Sequence, residues 1–277
     1  MKVVETIPEM KKVRRALKEP VGFVPTMGYL HEGHISHVRE AKKENGSVVV
    51  SIYVNPTQFG PKDDLSKYPR DLERDLTMLE NAGTDVVFFP SDKEMYPVGY
   101  DTWVEVDKLT KRLEGASRPT HFRGVTTIVT KLFNIVEADN AYFGQKDAQQ
   151  ALVIQKMVKD LNMNVRVVIG TTIREPDGLA MSSRNVYLTP EQRKQATVLN
   201  HSLQLAKDVH TRGERNADNI KKHMIALIQK EPLAVIDYIS IANPETLEEL
   251  ETIQGKALVS MVVKFGNTRL LDNIMLA

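Results

Sequence analysis

The sequence predicts an α/β protein in which a doubly wound parallel sheet forms the larger domain and a second, smaller α+β domain follows. Two observations lead to this prediction. Over the first two thirds of the 277 residues, short apolar runs with few charges alternate with amphipathic stretches. Near residue 171 this alternation gives way to helical patterns and then to longer strand-like runs. We therefore expect one domain over residues 1–172 and another over residues 173–277.

Five apolar runs rich in β-branched or aromatic residues predict the strands of the parallel sheet. They span residues 21–26, 47–54, 85–90, 140–144 and 164–170. Between them, residues 71–81 place leucines on one stripe before Gly83, and residues 125–136 repeat apolar side chains at helical spacing. Ligands of such sheets bind beyond the carboxyl ends of the strands, and polar clusters follow three of these runs.

The smaller domain begins with a recognisable helix start. Thr189 as N-cap, Pro190 at the first helical position and Gln192 three residues after the cap form a capping-box signature. We expect this helix to end near Gly213 and a second helix to span about residues 217–229. Strand-like runs at 235–242 and 256–265 and an apolar tail at 270–276 complete the domain.

Composition excludes several classes of function. Lys plus Arg is 37 and Asp plus Glu is 36, so a net charge of +1 gives no general attraction to nucleic acid or anionic membranes. The absence of cysteine excludes disulfides, Cys-based zinc sites and a thiol nucleophile. The first residues lack the apolar core of a secretory signal, and no apolar run approaches the ~20 residues of a membrane-spanning helix. We expect a soluble, cytoplasmic protein.

The stretch T-M-G-Y-L-H-E-G-H, residues 26–34, places two histidines in the turn after the first predicted strand. A zinc site is disfavoured because His31 and His34 are three residues apart, not four as in H-E-x-x-H, and no further ligand cluster follows. Simple packing is the usual role of a single histidine. A helix that begins near His34 or Ile35 would instead present free N–H groups to an anion. We favour a phosphate site, in which the histidines donate hydrogen bonds as charge develops.

Two further motifs follow later elements. In V-N-P-T-Q-F, Asn55 and Gln58 carry amides that donate and accept hydrogen bonds, although an ordinary Asn-Pro turn explains them equally well. In R-P-T-H-F-R-G-V, Arg118, His121 and Arg123 are candidates for carboxylate or phosphate contacts, the alternative being solvated loop side chains.

Two more motifs offer phosphate ligands. F-G-Q-K-D-A-Q-Q places Lys146 and Asp147 in the first turn of a predicted helix, where Lys is unfavourable unless it serves an anion. Gln149 and Gln150 there point about 100° apart, so only one faces a shared pocket. R-E-P-D-G-L-A-M-S-S-R-N, at the expected domain boundary, predicts a mobile loop that ends in Ser182, Ser183 and Arg184 and serves as a lid over nucleotide.

The H-x-G-H pattern resembles the signature of the nucleotidylyltransferase and class I aminoacyl-tRNA synthetase superfamily. Together, P-T-M-G-Y-L-H-E-G-H and the four later motifs occur in one order over residues 24–185, and the chain resembles the pantoate–β-alanine ligase (pantothenate synthetase) family. Gln145 is a departure, since the family more often has glutamate there, which puts the role of that side chain in doubt.

The resemblance implies a Rossmann-like N-terminal domain, a smaller C-terminal domain that forms a lid, and a homodimer. It implies that ATP and (R)-pantoate give pantoyl adenylate and diphosphate, and that β-alanine then releases AMP and pantothenate. Mg²⁺ would accompany ATP, held by phosphate and water and by no dedicated protein site.

The resemblance also implies roles for individual residues. His34 would be the proton donor and His31 its neighbour on the phosphates; Lys146 and Ser182 to Arg184 would complete the catalytic set. The implied ATP-binding residues are Met27, Gly28, Tyr29, Leu30, His31, Glu32, Gly33, His34, Gly144, Gln145, Lys146, Asp147, Ile173, Met181, Ser182, Ser183 and Arg184. The implied pantoate- and β-alanine-binding residues are Gln58, Gln150, Asn55, Arg118 and His121.

Two other classes stay open on the sequence. A nucleotidyltransferase with the same histidine motif would lack a site for an amine substrate. A non-catalytic nucleotide-binding module would not need Lys146 together with Arg184.

Overall fold

A computed structural model of the protein describes residues 1–61 and 63–277. The chain divides into two compact units. Unit 1 consists of Met1–Gly144 and Gln149–Thr171, and unit 2 consists of Gln145–Ala148 and Thr172–Ala277. None of the helices in the described residues is long and apolar enough to cross a membrane.

Unit 1 contains a six-stranded parallel sheet. Its strands are β1 (Lys2–Val4), β2 (Val21–Thr26), β3 (Ser47–Ile52), β4 (Val86–Phe88), β5 (Asn140–Gly144) and β6 (Arg166–Gly170). The spatial order is β1-β4-β3-β2-β5-β6, and all strand pairs are parallel, which confirms the predicted sheet. The winding direction reverses between β2 and β5, and this reversal is where doubly wound sheets bind ligands.

The helices of this part of the chain follow their sequence signals. They are α1 (Ile7–Arg14), α2 (Glu32–Glu44), α3 (Leu72–Asn81), α4 (Asp92–Met95), α5 (Glu114–Ser117), α6 (His121–Val136) and α7 (Ala148–Asp160). In α6, residues such as Val125, Ile128 and Leu132 are buried, as the helical spacing predicts. The side chain of Asp71 caps α3 by accepting from the Arg74 N–H. The apolar faces of α2 and α3 pack on strands β2 to β5 in one core cluster of unit 1.

Unit 2 consists of three helices and an antiparallel sheet. The elements are α8 (Pro190–Gln195), α9 (Val198–Thr211), α10 (Ala217–Ile228), β7 (Ala234–Ala242), β8 (Ala257–Phe265) and β9 (Thr268–Leu276), with sheet order β7-β8-β9. The capping box at Thr189 and Gln192 is present. We predict a single helix from there to Gly213, and this prediction is wrong. The helix is interrupted between α8, which ends at Gln195, and α9, which begins at Val198. The Thr197 hydroxyl bonds the Lys194 carbonyl at that point and competes with the helical backbone bonds.

Candidate active site

The turn after β2 has an unusual backbone conformation. Gly28 has a φ of 79° and Tyr29 a φ of 49°, both in the left-handed region. A Cβ on Gly28 would lie 3.0 Å from Ile52 Cγ2 and 3.2 Å from Asp75 Oδ2, so glycine suits the φ and also avoids two tight contacts. The turn therefore brings the backbone of residues 28–30 close to both β3 and α3.

Asp75 of α3 holds this turn. Its carboxylate accepts hydrogen bonds from the backbone N–H groups of Tyr29 and Leu30, both at 2.7 Å. Burial raises the pKa of the Asp75 carboxyl and outweighs these two bonds, which by themselves would lower it. Sequence reasoning missed Asp75. The available signal is that a carboxylate stands on the apolar stripe of α3, between Leu72 and Leu79.

The two histidines cap α2. The helix begins at Glu32 with His31 as N-cap, two to three residues earlier than the sequence predicts. His31 Nδ1 accepts from the Gly33 N–H at 3.1 Å, and His34 Nδ1 accepts from the His31 N–H at 3.3 Å. The N–H groups of His34 and Ile35 both donate to the His31 carbonyl. The N–H groups of Gly33, His34 and Ile35 thus have acceptors within the turn, and the phosphate site expected at this helix start stays a prediction.

The capping geometry determines which ring nitrogen of each histidine carries the proton. Since Nδ1 of each imidazole accepts a backbone N–H, the neutral ring carries its proton on Nε2. The centroids of the His31 and His34 rings are 4.0 Å apart, so both rings occupy one small region at the start of α2. The turn therefore carries two adjacent imidazole rings, each with its N–H donor at Nε2.

Asn55 and Gln58 belong to one hydrogen-bond network. Asn55 Oδ1 accepts from the hydroxyls of Tyr96 at 2.9 Å and Thr57 at 3.0 Å. Asn55 Nδ2 donates to Gln58 Oε1 at 3.2 Å and to the Gly124 carbonyl at 3.1 Å. Burial raises the pKa of Tyr96 to about 12, so its hydroxyl stays protonated. The Asn-Pro turn that we considered as an alternative is also present, because residues 56–58 form a 3-10 turn capped by Asn55.

The same network joins Gln58 to the histidine turn. Gln58 Nε2 contacts Met27 Sδ at 3.0 Å, and Met27 directly precedes Gly28. With its oxygen bonded to Asn55, the Gln58 amide presents its NH₂ group toward the end of β2. The structure therefore places two sequence-predicted groups, residues 27–34 and Asn55 with Gln58, next to each other in unit 1.

Arg118 and His121 meet at the backbone of Gln58. Arg118 donates to Asp63 Oδ2 from two nitrogens, at 2.7 and 3.1 Å, and to the Gln58 carbonyl at 3.2 Å. His121 Nδ1 lies 2.9 Å from the same carbonyl oxygen. Burial would raise the pKa of Asp63, but hydrogen bonds from Gly60 and Arg118 outweigh it and lower that pKa. Both predicted side chains thus hold the Gln58 segment in place.

Gln149 and Gln150 differ as the helical geometry predicts. Gln149 is buried, accepts from the Glu114 N–H at 3.0 Å, and donates to the carbonyls of Leu109 and Arg112. It therefore fixes the segment before α5. Gln150 is half-buried on a different side of α7, which leaves it as the glutamine available to a ligand.

The remaining predicted residues lie in unit 2. Residues 145–147 form a 3-10 turn directly before α7, and Lys146 Nζ lies 3.3 Å from Asp147 Oδ1. Residues 173–181 form a hydrogen-bonded hairpin, in which Met181 N–H bonds the Ile173 carbonyl and Arg174 pairs with Ala180. The segment therefore has internal backbone pairing, and its mobility as a lid stays a prediction. Ser182 caps a 3-10 turn over Ser183–Tyr187, which contains Arg184.

The described part of the chain contains no group of three or more His, Cys, Asp or Glu side chains that fits a metal ion.

The predicted site residues are divided between the two units. Those in unit 1 are Met27 to His34, Asn55, Gln58, Arg118, His121, Gly144 and Gln150. Those in unit 2 are Gln145 to Asp147, Ile173 and Met181 to Arg184.

Comparison with known proteins gives one consistent result. A family model described as pantoate-beta-alanine ligase matches residues 2–275. A pantothenate synthetase of Acetivibrio thermocellus is 58% identical, and the match covers 99% of each chain. One of Thermotoga petrophila is 55% identical over 100% of both chains.

Solved structures agree. The crystal structure of a Thermus thermophilus pantothenate synthetase has a TM-score of 0.95 at 47% identity and covers 99% of both chains. A pantoate-beta-alanine ligase of Francisella tularensis, solved with beta-gamma ATP and beta-alanine, has a TM-score of 0.84 at 34% identity. It covers 99% of this chain and 97% of that one.

Proposed function

Since this chain belongs to the pantoate–β-alanine ligase family, we propose that it condenses (R)-pantoate with β-alanine through a pantoyl-adenylate intermediate in pantothenate biosynthesis. The pantoate carboxylate attacks the α-phosphorus of ATP and diphosphate leaves. The β-alanine amine then attacks the activated carbonyl, AMP leaves, and the amine loses a proton. The Francisella relative, solved with an ATP analogue and β-alanine, supports ATP and β-alanine as substrates.

The observation on which this proposal rests is the pair of capping histidines beside Gln58. His31 and His34 offer Nε2–H donors to the phosphates of ATP, and His34 provides a proton as charge develops on the leaving diphosphate. Gln58 and Gln150 hold the hydroxyls and carboxylate of pantoate. Hydrogen-bond contacts from Asn55, Arg118 and His121 keep the Gln58 segment in place. Such positioning is the main requirement for transfer between two bound substrates.

We propose that residues of unit 2 supply further hydrogen-bond donors and positive charge to the phosphates of ATP. Lys146, Ser182, Ser183 and Arg184 bind the phosphates, and the other predicted ATP ligands line the nucleotide. Mg²⁺ bound with ATP would lower the charge repulsion that the pantoate carboxylate meets at the phosphates. We propose that phosphate oxygens and water would hold this Mg²⁺, as its preference for hydration favours.

Omitting substrates in turn tests the reaction. With ATP, Mg²⁺ and pantoate, we expect about one diphosphate per active site without AMP release; adding β-alanine should give steady release of both. If AMP forms without β-alanine, or diphosphate without pantoate, the ligase mechanism is wrong. Steady diphosphate release with pantoate alone would favour a nucleotidyltransferase, and ATP binding without any diphosphate would favour a non-catalytic module.

Substitutions at His34 separate its two roles. His34→Asn retains an acceptor near the position of Nδ1 but loses Nε2–H, whereas His34→Ala loses both. We expect both to slow diphosphate release by about 100-fold or more, and only His34→Ala to weaken the start of α2. The exposed His201→Ala is the matched control. A normal rate of diphosphate release in His34→Asn would contradict the proton-donor role.

We also propose, from the resemblance, that the protein acts in the cytoplasm as a homodimer and that residues 173–277 form a lid over bound nucleotide. Light scattering at several concentrations tests the dimer. Hydrogen exchange with and without ATP tests the lid. If the lid closes, the backbone amides of residues 173–184 should exchange more slowly when nucleotide is bound.

A further inference from the structure

Two adjacent polar residues, Asp272 and Asn273, are buried near the end of β9. Asp272 is 0% exposed and Asn273 is 3% exposed. Neighbouring residues of a strand point to opposite faces, so these two side chains reach different surroundings. Leu270 and Leu276, on the Asp272 face, belong to the apolar core of unit 2. A carboxylate and an amide at such positions are costly to bury unless other groups satisfy them.

Asn273 is satisfied by the turn that contains Lys146. Its Nδ2 donates to the carbonyl of Gln145 at 3.0 Å and to the carbonyl of Lys146 at 2.7 Å. Its Oδ1 accepts from Gln145 Nε2 at 3.1 Å. All three polar contacts of this side chain therefore hold residues 145 and 146, which also gives the Gln145 side chain a partner.

Asp272 is satisfied by the hairpin that leads to Ser182. Arg174 donates to Asp272 Oδ2 at 2.6 Å and to Oδ1 at 3.0 Å, and the same guanidinium donates to the Gly178 carbonyl at 3.1 Å. Arg174 and Gly178 lie on opposite sides of the hairpin turn, so the arginine ties its two strands to β9. Ser182 follows this hairpin directly.

We propose that Asp272 and Asn273 are positioning residues that hold two phosphate-binding segments, the Lys146 turn and the Ser182–Arg184 turn, at fixed places on β9. This inference depends on the proposed function, because those two segments are its ATP-binding residues in unit 2. Neither Asp272 nor Asn273 touches substrate. Each acts through a segment that does.

The polar pair at positions 272 and 273 serves to position these segments and is not needed for stability. An apolar residue at position 272 would cost less to bury than a carboxylate with its arginine. The polar pair fixes the position of both segments relative to one strand, through three hydrogen bonds to side chains and two to backbone carbonyls. A displacement of about 1 Å in a charge-stabilising group is enough to lower a rate by about 100-fold.

Asn273→Ala in the full-length protein is the first test. We expect kcat for pantoate-dependent diphosphate release to fall by about tenfold or more, because Lys146 loses its fixed place. Ile220→Val and Ile220→Ala, in the core of unit 2 on α10, are matched controls that lower the melting temperature without touching either segment. If an Ile220 variant with the same melting temperature loses as much activity, the positioning role is wrong.

A double-mutant cycle tests whether Asn273 acts through Lys146. In the Lys146→Ala background, Asn273→Ala should lower the remaining rate by less than about twofold, because the group that it positions is already absent. A loss of tenfold in both backgrounds would refute the inference. Asp272→Asn should leave the effect of Lys146→Ala unchanged and instead lose its own effect in an Arg184→Ala background.

Hydrogen exchange gives a readout that does not need activity. Peptides covering residues 141–150 should exchange faster in Asn273→Ala, and those covering 173–184 faster in Asp272→Asn, but neither in the Ile220 variants. Unchanged exchange in both would overturn the inference. A wild-type protein that forms no diphosphate from ATP and pantoate refutes the proposed function instead, and that result is separate from any comparison among variants.

Discussion

Gly124→Ala is a sharp test of how the pantoate end of the proposed site is built. Gly124 lies in the first turn of α6, where the helix packs on the 56–58 turn that carries Gln58. A Cβ at this position would lie 2.6 Å from the Gln58 nitrogen and 2.6 Å from the carbonyl carbon and oxygen of Thr57. The contacting atoms belong to the backbone, so no side chain can rotate away.

The size of the effect follows from these distances. Ordinary contact begins at 3.4 Å, so the turn and the helix must separate by about 0.8 Å. Overpacking of this kind costs about 1–3 kcal/mol, while Ala in place of Gly in a helix returns up to about 1 kcal/mol. We therefore expect the unfolding free energy to fall by at most about 3 kcal/mol. The displaced Gln58 should lower kcat/KM for pantoate by about 10- to 100-fold.

Steady-state kinetics with varied pantoate and saturating ATP and β-alanine measures this loss, and urea unfolding measures stability. Gly255→Ala is the control, since a Cβ there meets nothing within 4 Å and its φ is not in the left-handed region. If Gly124→Ala keeps kcat/KM for pantoate within about threefold of wild type, close packing of α6 on this turn does not determine the position of Gln58.

Two further predictions concern acidic residues. Asp75→Ala leaves the N–H groups of Tyr29 and Leu30 without their acceptor. Each unsatisfied donor costs about 1–3 kcal/mol, so urea unfolding should show a loss of about 2–6 kcal/mol. The exposed Glu73→Ala is the control, and a loss under about 1 kcal/mol would contradict the role of Asp75 in the turn. In the folded protein the pKa of Asp63 lies below its ordinary value of 3.8. The ionised Asp63 carboxylate therefore stabilises the fold above pH 3.8, and this stabilisation is lost as the pH falls through the folded pKa. The stability advantage of wild type over Asp63→Asn should be constant above about pH 5 and shrink below about pH 4; an advantage that grows on acidification would show that the sign is wrong.

Elements whose structure depends on local pattern were predictable from the sequence. The central strands and α6 are continuous apolar or helical repeats, and the Thr189 capping box is a local signature. Strand β1 was missed because it has only three residues and is held by β4, far along the chain. The break at Thr197 was missed because it depends on one side-chain bond inside a run with good helical pattern.

The site was predictable where motifs mark it and not where distant residues support it. Asp75 accepts hydrogen bonds from Tyr29 and Leu30, which precede it by 46 and 45 positions in the chain. Asn273 donates to Lys146, which precedes it by 127 positions. No periodicity or spacing rule connects such pairs. The start of α2 was misplaced for a different reason, since the usual N-cap residues are Ser, Thr, Asp and Asn, and His31 is not one of them.

The capping role of the two histidines restricts what evolution can place at these positions. Asp or Asn would serve the helix equally well, but their short side chains end at the acceptor and offer nothing beyond it. An imidazole is a rigid ring with an acceptor on one edge and a donor on another, so it can close the helix and still extend a proton outward. Exchanging either histidine therefore changes two properties at once, and a residue that restores the helix alone will not restore the donor.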